Sequence, residues 1–390
     1  MKYKLGSIAT FSQGKQIEID EQFFKKDENH PVRFIRIIDY TNQEEPIRYV
    51  KNFGERYYAT NDDVIMIRYG SQTAGKVVMG KNGIIANNMF KMNFDNTIIK
   101  NKYAYYYLSQ DKIFNYLRAS QSSSTMPAIS FGMLNDLEID IPKTEIQEKI
   151  IKLLDIIENK IQYNMHTNNN LYKIIEQYIK EQYYNNENVQ IGNVGNIGKI
   201  QGGYAFKSKD LLNDVTNNKI FKIKNISASG VDIDNTQCVY DEVADKVDKK
   251  FLLIRGNVII AMTGAELGKT GYLYGNDNRY FLNQRVGVIR GNDKYSELYL
   301  NCLFLLKDMQ NTLNSKGYGS AQPNISTSDI ENIEVPIPKE DELKKFYEVC
   351  NPIYNKMILN SEQNQSLTQL RDTLLPKLMN GEIDLDKIEI

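Results

Sequence analysis

Residues 143–184, KTEIQEKIIKLLDIIENKIQYNMHTNNNLYKIIEQYIKEQYY, constrain this chain more than any other stretch. A heptad pattern runs through them. Ile150, Ile157, Asn164, Leu171 and Tyr178 fall on one position, Leu153, Lys160, Thr167 and Ile174 fall on the next, and Leu154, Ile161 and Ile175 widen the stripe. A seam of this period faces another helix rather than water. At about 1.5 Å per residue such a helix spans roughly 60 Å, more than one small domain needs. It reads as a strut that requires a partner.

The partner lies in the same chain, shifted by 196 positions: Phe346, Ile353, Asn360, Leu367 and Leu374 take the first heptad position, and Val349, Lys356, Gln363 and Leu370 the second. The polar intrusions repeat as well, Lys160 with Lys356, Asn164 with Asn360 and Asn168 with Asn364. Any two amphipathic helices can be slid into heptad register, but matching defects point to an internal duplication. Other pairs agree. LGSIATFSQG (5–14) answers VGNIGKIQGG (194–203), the strand-like VRFIRII (32–38) answers KIFKIKNI (219–226), and DVIMIRYGSQTAGKVVM (63–79) answers NVIIAMTGAELGKTGYL (257–273). From Asn87 onward the 196 offset is expected to hold without a gap, pairing Asn87 with Asn283, Tyr103 with Tyr299 and Leu117 with Leu313. Pro127, Ile129, Ser130, Glu138, Ile141, Pro142 and Lys143 are identical to Pro323, Ile325, Ser326, Glu334, Ile337, Pro338 and Lys339. The prolines stop regular structure just before each strut.

The order is therefore globule (1–143), strut (144–186), globule (187–339), strut and tail (340–390). Globules of this size with strands, turns and one helix each (102–118 and 298–313) belong to the α/β or α+β class. If a two-fold axis relates the repeats, the struts run antiparallel as a coiled coil with a globule at each end. The polar middles then meet, Asn164 and Asn168 against Asn360 and Asn364, setting register together with Lys160 and Lys356. A cysteine pair at 164 and 360 is expected to close. Pro352, where the first strut has Ile156, predicts a bend or restart near Asn351, because interior proline costs about 3 kcal/mol. Pro376 and Gly381 are expected to close the second strut.

Composition narrows the class. Hydrophobic content of 41% and charged content of 25% suit a folded soluble protein of two or three domains. No long apolar run opens the chain and none approaches the ~20 residues of a membrane span, so neither a signal peptide nor a membrane partner is expected. Cys238, Cys302 and Cys350 are scattered and fit a reducing cytoplasm. Net charge is −1, yet residues 66–91 carry Arg68, Lys76, Lys81 and Lys91 without an acidic residue, and residues 199–224 carry six lysines against Asp210 and Asp214. Such patches suit phosphate contact better than the total suggests.

Catalytic sets are not found. GSQTAGKV (70–77) has P-loop spacing, but Val77 replaces the Ser or Thr that holds magnesium, and GAELGKT (264–270) is one residue short. NPIY (351–354) lacks the second proline of the amino-methyltransferase motif and sits on the heptad. His30 and His166 are unrelated in position, and no paired carboxylates, metal cluster or Ser-His-Asp set recurs in both repeats. The chain reads as non-catalytic, binding neither cofactor nor metal itself.

Two similar domains held a fixed distance apart suit a two-part linear target such as double-stranded DNA. The repeated loops carry the chemistry. Asn87, Asn88, Asn283, Gln284 and Arg285 offer amide and guanidinium groups for base edges. Lys15, Lys76, Lys207 and Lys269 suit phosphates, which position without specifying, and Arg68 and Lys316 are further candidates for contact. Ser71, Gln72, Thr73, Ser123, Ser124, Tyr204, Thr263, Tyr318 and Gln322 lie in the same small polar loops and complete the candidate set.

Taken together, the two variable globules, the P-x-I-S stretch and final I-P-K of each, the matching helices and the ending LLPKLMNGEI (374–383) resemble the specificity (S) subunits of type I restriction-modification systems. The resemblance covers essentially the whole chain. It implies two target recognition domains that each read half of a split DNA sequence, and an antiparallel helical spacer that docks two methyltransferase (M) subunits. Those bind S-adenosylmethionine and methylate adenine N6, while restriction (R) subunits use ATP and Mg2+ for translocation and cleavage. Base-reading residues do not transfer by position within that family, so the residues above rest on their chemistry. The alternatives are a scaffold joining two protein partners through the struts, and a methyltransferase with a degenerate motif.

Overall fold

The computed structural model describes residues 1–42, 45–70, 73–119, 128–212, 214–227, 230–275, 279–317 and 323–385. The chain divides into two compact units, one formed by Met1–Glu158 with Gln369–Ile390 and the other by Asn159–Thr368.

In the first unit Val64–Ile67, VIMI, is buried on both faces and lies inside a four-stranded antiparallel sheet, in the order Ala9–Gln13, Met89–Phe94, Val64–Ile67, Val77–Met79. An unbroken apolar run of this kind suits a strand covered on two sides. A second four-stranded sheet runs Arg48–Val50, Val32–Ile35, Gly83–Ile85, Tyr58–Ala59, with a parallel pair at its centre. The second unit repeats both orders: Gly198–Gly202, Val286–Gly291, Val258–Ala261, Thr270–Tyr272, and Gln237–Cys238, Asn218–Phe221, Arg279–Leu282, Leu252–Leu253. The duplication is thus a duplication of topology.

Two expectations need correcting within the globular parts. Each single helix is in fact two, Asn101–Leu108 with Asp111–Ala119 and Lys294–Leu305 with Lys307–Lys316. Local polar chemistry makes the breaks: the Ser109 hydroxyl donates to the Tyr105 carbonyl at 2.7 Å, and the Gln310 side-chain amide donates to the Leu305 carbonyl at 3.0 Å. The offset is also not constant. Strand pairing sets Gln13 opposite Phe90 and Gly202 opposite Gly287, so here the shift is 197, and Asn87 corresponds to Gln284 and Asn88 to Arg285. A one-residue difference before the helices restores 196, where Tyr103 and Tyr299 are both fully buried.

The long helices run Thr144–Ile179, prolonged by a π-helical turn Lys180–Tyr184, and Glu340–Met379. Within the first unit Ile150 and Leu154 share a core with Leu375, Leu378 and Met379, and Arg371 Nη1 meets Glu158 Oε1 at 2.6 Å. Within the second unit Asn164 meets Asn364, Asn168 meets Asn360, and the Tyr183 ring lies 6.1 Å from that of Phe346. Rising numbers on one helix meet falling numbers on the other, so the pairing is antiparallel.

The seam differs from its sequence reading by one position. Ile174, Val349 and Leu370 are 51%, 45% and 47% exposed, Lys356 and Gln363 are exposed, and Lys160 turns outward to place Nζ 5.3 Å from the Tyr163 ring. The second inner row is Leu154, Ile161, Asn168 and Ile175, answered by Cys350, Met357 and Asn364. Positions three and four residues on both adjoin a heptad residue, and a pattern containing polar intrusions does not choose between them. Lys160 and Lys356 therefore do not set register.

Nor do Asn164 and Asn360 bond to each other. Asn164 Nδ2 donates to Asn364 Oδ1 at 2.9 Å and to Gln363 Oε1 at 2.8 Å, while Asn360 Nδ2 donates to Asn168 Oδ1 at 2.8 Å. A shift of 196 turns the first contact into the second, the crossed pairing a two-fold relation between helices produces.

Pro352 does not interrupt its helix, and Pro376 does not end it. Phe346, Cys350, Tyr354 and Met357 are buried on both sides of Pro352, and this packing offsets the cost of one missing N–H. The true stop is Gly381 (φ +72°): its N–H donates to the Leu378 carbonyl, and that of Glu382 to the Lys377 carbonyl, which is Schellman geometry.

Candidate nucleic-acid interface

In each unit one turn joins the two four-stranded sheets, and other segments converge on it. In the first unit the turn closes with Met89 N–H donating to the Ala86 carbonyl at 3.0 Å, leaving Asn87 and Asn88 at its tip. Arg68 N–H donates to the Asn88 carbonyl at 2.8 Å, and Ile129 N–H to the Arg68 carbonyl at 3.0 Å. Lys15 N–H donates to the Ile85 carbonyl at 2.8 Å. Gly14 approaches so closely that a Cβ there would lie 2.2 Å from the Ala86 carbonyl oxygen, so only glycine fits.

The second unit builds the same junction from different side chains. Val286 N–H donates to the Asn283 carbonyl at 2.9 Å, placing Gln284 and Arg285 at the tip. Met262 N–H donates to the Arg285 carbonyl at 3.1 Å, Ile325 N–H to the Met262 carbonyl at 3.0 Å, and Tyr204 N–H to the Leu282 carbonyl at 2.9 Å. Thr263 bridges to Asn324, and a Cβ on Gly203 would lie 2.1 Å from the Asn283 carbonyl oxygen.

The side chains at the two junctions are committed differently. Arg68 is held by Gln13, by the Ile129 carbonyl at 3.3 Å, and between the rings of Tyr69 and Phe131, at 5.1 and 5.2 Å. Asn87 is held by Gln16, Thr73 Oγ1 donates to the Tyr69 carbonyl at 3.2 Å, and Asn88 Oδ1 is buried without a partner. Lys15 Nζ sits 5.3 and 5.5 Å from the rings of Phe53 and Tyr57, and Lys76 is exposed. In the second unit the Tyr204 ring packs on Phe206 and Phe251, and Lys269 pairs with Glu266 at 2.7 Å. Lys207, Gln284, Arg285 and Lys316 are exposed. Ser71, Gln72, Ser123, Ser124, Tyr318 and Gln322 lie outside the described residues.

The basic patch at 66–91 is less available than its composition suggests. Lys81 donates to the Asp39 carbonyl, and burial, then the nearby Arg33, lowers its ammonium below the usual lysine range. Lys91 donates to the Tyr58 carbonyl at 2.8 Å. Sequence reasoning passed over Gln13 and Gln16, which orient Arg68 and Asn87. Their signal is the run QGKQ (13–16), two amides bracketing the close-approach glycine. Among the described residues no three His, Cys, Asp or Glu side chains group as a metal site, and no helix is long and apolar enough to cross a membrane.

Comparison with known proteins agrees with this duplicated architecture. A family model described as the type I restriction modification DNA specificity domain matches residues 1–173 and again 185–369. The chain is 26% identical over 336 residues to the type I restriction enzyme MjaIX specificity subunit of Methanocaldococcus jannaschii, covering 80% of this chain and 76% of that one. It is 23% identical to the MjaVIII specificity subunit of the same organism, over 86% and 82% of the two chains. Among solved structures, the S subunit of a type I restriction-modification system from M. genitalium has a similar fold, with TM-score 0.57 and 19% identity over 97% of this chain and 95% of that one.

Proposed function

This chain belongs to the type I restriction modification DNA specificity family, and we propose on that premise that each of its units reads one half of a split double-stranded DNA target. Its role is that of the DNA-recognition subunit, non-catalytic in itself, with DNA and the other restriction-modification subunits as partners. One observation carries the two-part reading. The same junction is built twice, on equivalent strands, with amide or guanidinium side chains at the same two tip positions. Such groups recognise base edges, whereas the exposed Lys76, Lys207 and Lys316 suit phosphates.

In this reading two methyltransferase subunits dock on the long helices and supply S-adenosylmethionine, restriction subunits bring ATP and Mg2+, and the assembly works in the cytoplasm. The buried asparagines of the helix pair hold its register. Methylation mapping in a host that carries the matching methyltransferase subunits tests the proposal. Wild type should mark adenines in a bipartite motif, and exchanging residues 1–143 for another globule should change one half of it only. An unchanged motif after the exchange would refute DNA reading by that globule. Binding indifferent to salt and to DNA sequence would leave a scaffold instead.

A further inference from the structure

The two junctions share a backbone but differ in one respect that bears on what they read. Of the eleven arginines in the chain, Arg285 is the one described residue whose guanidinium has no hydrogen bond, ion pair or ring contact. Arg33, Arg36, Arg255, Arg279 and Arg371 are held by carboxylates. Arg68 and Arg290 bond to side-chain amides and carbonyls, and Arg48, Arg56 and Arg118 lie against aromatic rings. Arg285 has none of these partners, while its backbone is fixed: its carbonyl accepts from Met262 N–H at 3.1 Å, and its turn is closed by the 2.9 Å bond from Val286 to Asn283. The fixed backbone places the side chain at the tip, and its planar fork loses less freedom per hydrogen bond formed than a lysine would, while the unheld stem is ordered on binding.

The equivalent position in the first unit is Asn88, whose carbonyl accepts from Arg68 N–H at 2.8 Å in the same way. The arginine nearest that tip, Arg68, is bound and stacked in place. A free guanidinium is therefore present at one junction and absent from the other. A fork with two parallel N–H donors matches the O6 and N7 acceptors of guanine in the major groove, and no other base offers that pair.

The geometry points to Arg285 as a specificity-determining residue that reads a guanine in the half-site of the second unit. This deepens the proposed function and rests on it. The assignment is tested with the full chain in complex with its methyltransferase subunits. The wild-type methylation map supplies the target, and duplexes changed at one position at a time supply the probes. Arg285→Ala and Arg285→Lys should weaken binding to the intact target by about 10- to 100-fold. They should also abolish discrimination at one G·C pair of one half-site, leaving the other half-site as selective as before. Because the Arg285 guanidinium makes no hydrogen bond, ion pair or ring contact with the described residues, the melting temperature should move little. A uniform loss across all sequences with a shallower salt dependence would make Arg285 a phosphate contact and overturn the assignment. So would unchanged affinity and an unchanged motif. In both cases a bipartite wild-type map leaves the two-domain reading standing, whereas a wild-type map without a bipartite motif removes that reading first.

Discussion

The amide pair of half-buried Asn168 and buried Asn360 lends itself to a quantitative test. Asn360 Nδ2 donates to Asn168 Oδ1 at 2.8 Å, while Asn168 Nδ2 donates to the Met357 carbonyl at 2.9 Å and, at longer range, to Ser361 Oγ and the Tyr272 hydroxyl at 3.3 and 3.4 Å. Asn360 is only 1% exposed, so water cannot replace its lost acceptor without opening the helix pair. Asn168→Ala removes two short hydrogen bonds, about 1 kcal/mol net each, and leaves the Asn360 amide unsatisfied at a further 1–3 kcal/mol or so. The sum is about 3–5 kcal/mol. Asn360→Ala breaks one bond and leaves Asn168 Oδ1 unpaired, for about 2–4 kcal/mol. Both single variants count the shared bond and one orphaned partner, and the double variant has neither orphan, so it should fall short of additivity by about 3 kcal/mol or more. The chain has no tryptophan, so urea unfolding is best followed by the near-ultraviolet circular dichroism of its 26 tyrosines. Additive single effects, with coupling below about 0.3 kcal/mol, would show that the two amides do not bear on each other and refute the register argument.

Three further expectations follow from the same geometry. Gly203→Ala places a methyl 2.1 Å from the Asn283 carbonyl oxygen and should cost about 1–3 kcal/mol while displacing the Arg285 turn, measurable as a lower melting temperature together with weaker DNA binding. Pro352→Ala restores an N–H to a helix that already runs through this position, and should raise stability by about 1–3 kcal/mol in urea unfolding. Asp293 caps the helix Lys294–Leu305, and the Ser296 backbone N–H at 2.8 Å holds its carboxyl below the ordinary carboxylate range. Its folded pKa is depressed, so its contribution is full above the unfolded value of about 3.8 and is lost as pH falls through the folded pKa. Asp293→Ala should then cost about 1 kcal/mol at neutral pH, with the gap to wild type closing in parallel melts as pH falls from the unfolded value through the depressed folded one.

The sequence carried its long-range message through repetition. Matched defects in two heptad stretches revealed the duplication, and paired Ile-Pro-Lys endings marked where each helix begins. Heptads and tandem order admit either sense of helix pairing, and the crossed amide contacts decide it as antiparallel. What periodicity could not resolve was the second row of the seam, because Leu153 and Leu154 are both apolar and both adjoin Ile150. Only packing shows that Leu154 is buried. Pro352 illustrates the opposite error. A local rule with a real cost was outweighed by Phe346, Cys350, Tyr354 and Met357, whose burial depends on residues far away in the chain.

The interface divides in the same manner. Its residue types were legible, since amides and cations in equivalent Gly-bounded loops stand out in a duplicated chain. Their equivalence and availability were not. Asn88 and Arg285 became counterparts only through strand register, because a one-residue length difference between the repeats leaves no mark until backbone hydrogen bonds are assigned. Arg68 and Arg285 look alike as letters. One is bonded and stacked in place and the other has no such partner, a distinction set by Gln13, Tyr69 and Phe131 around the first. Repetition and period are properties of the chain taken alone, and they determined the architecture. Which side chains remain free to meet DNA depends on neighbours distant in sequence, and tertiary structure alone decided that.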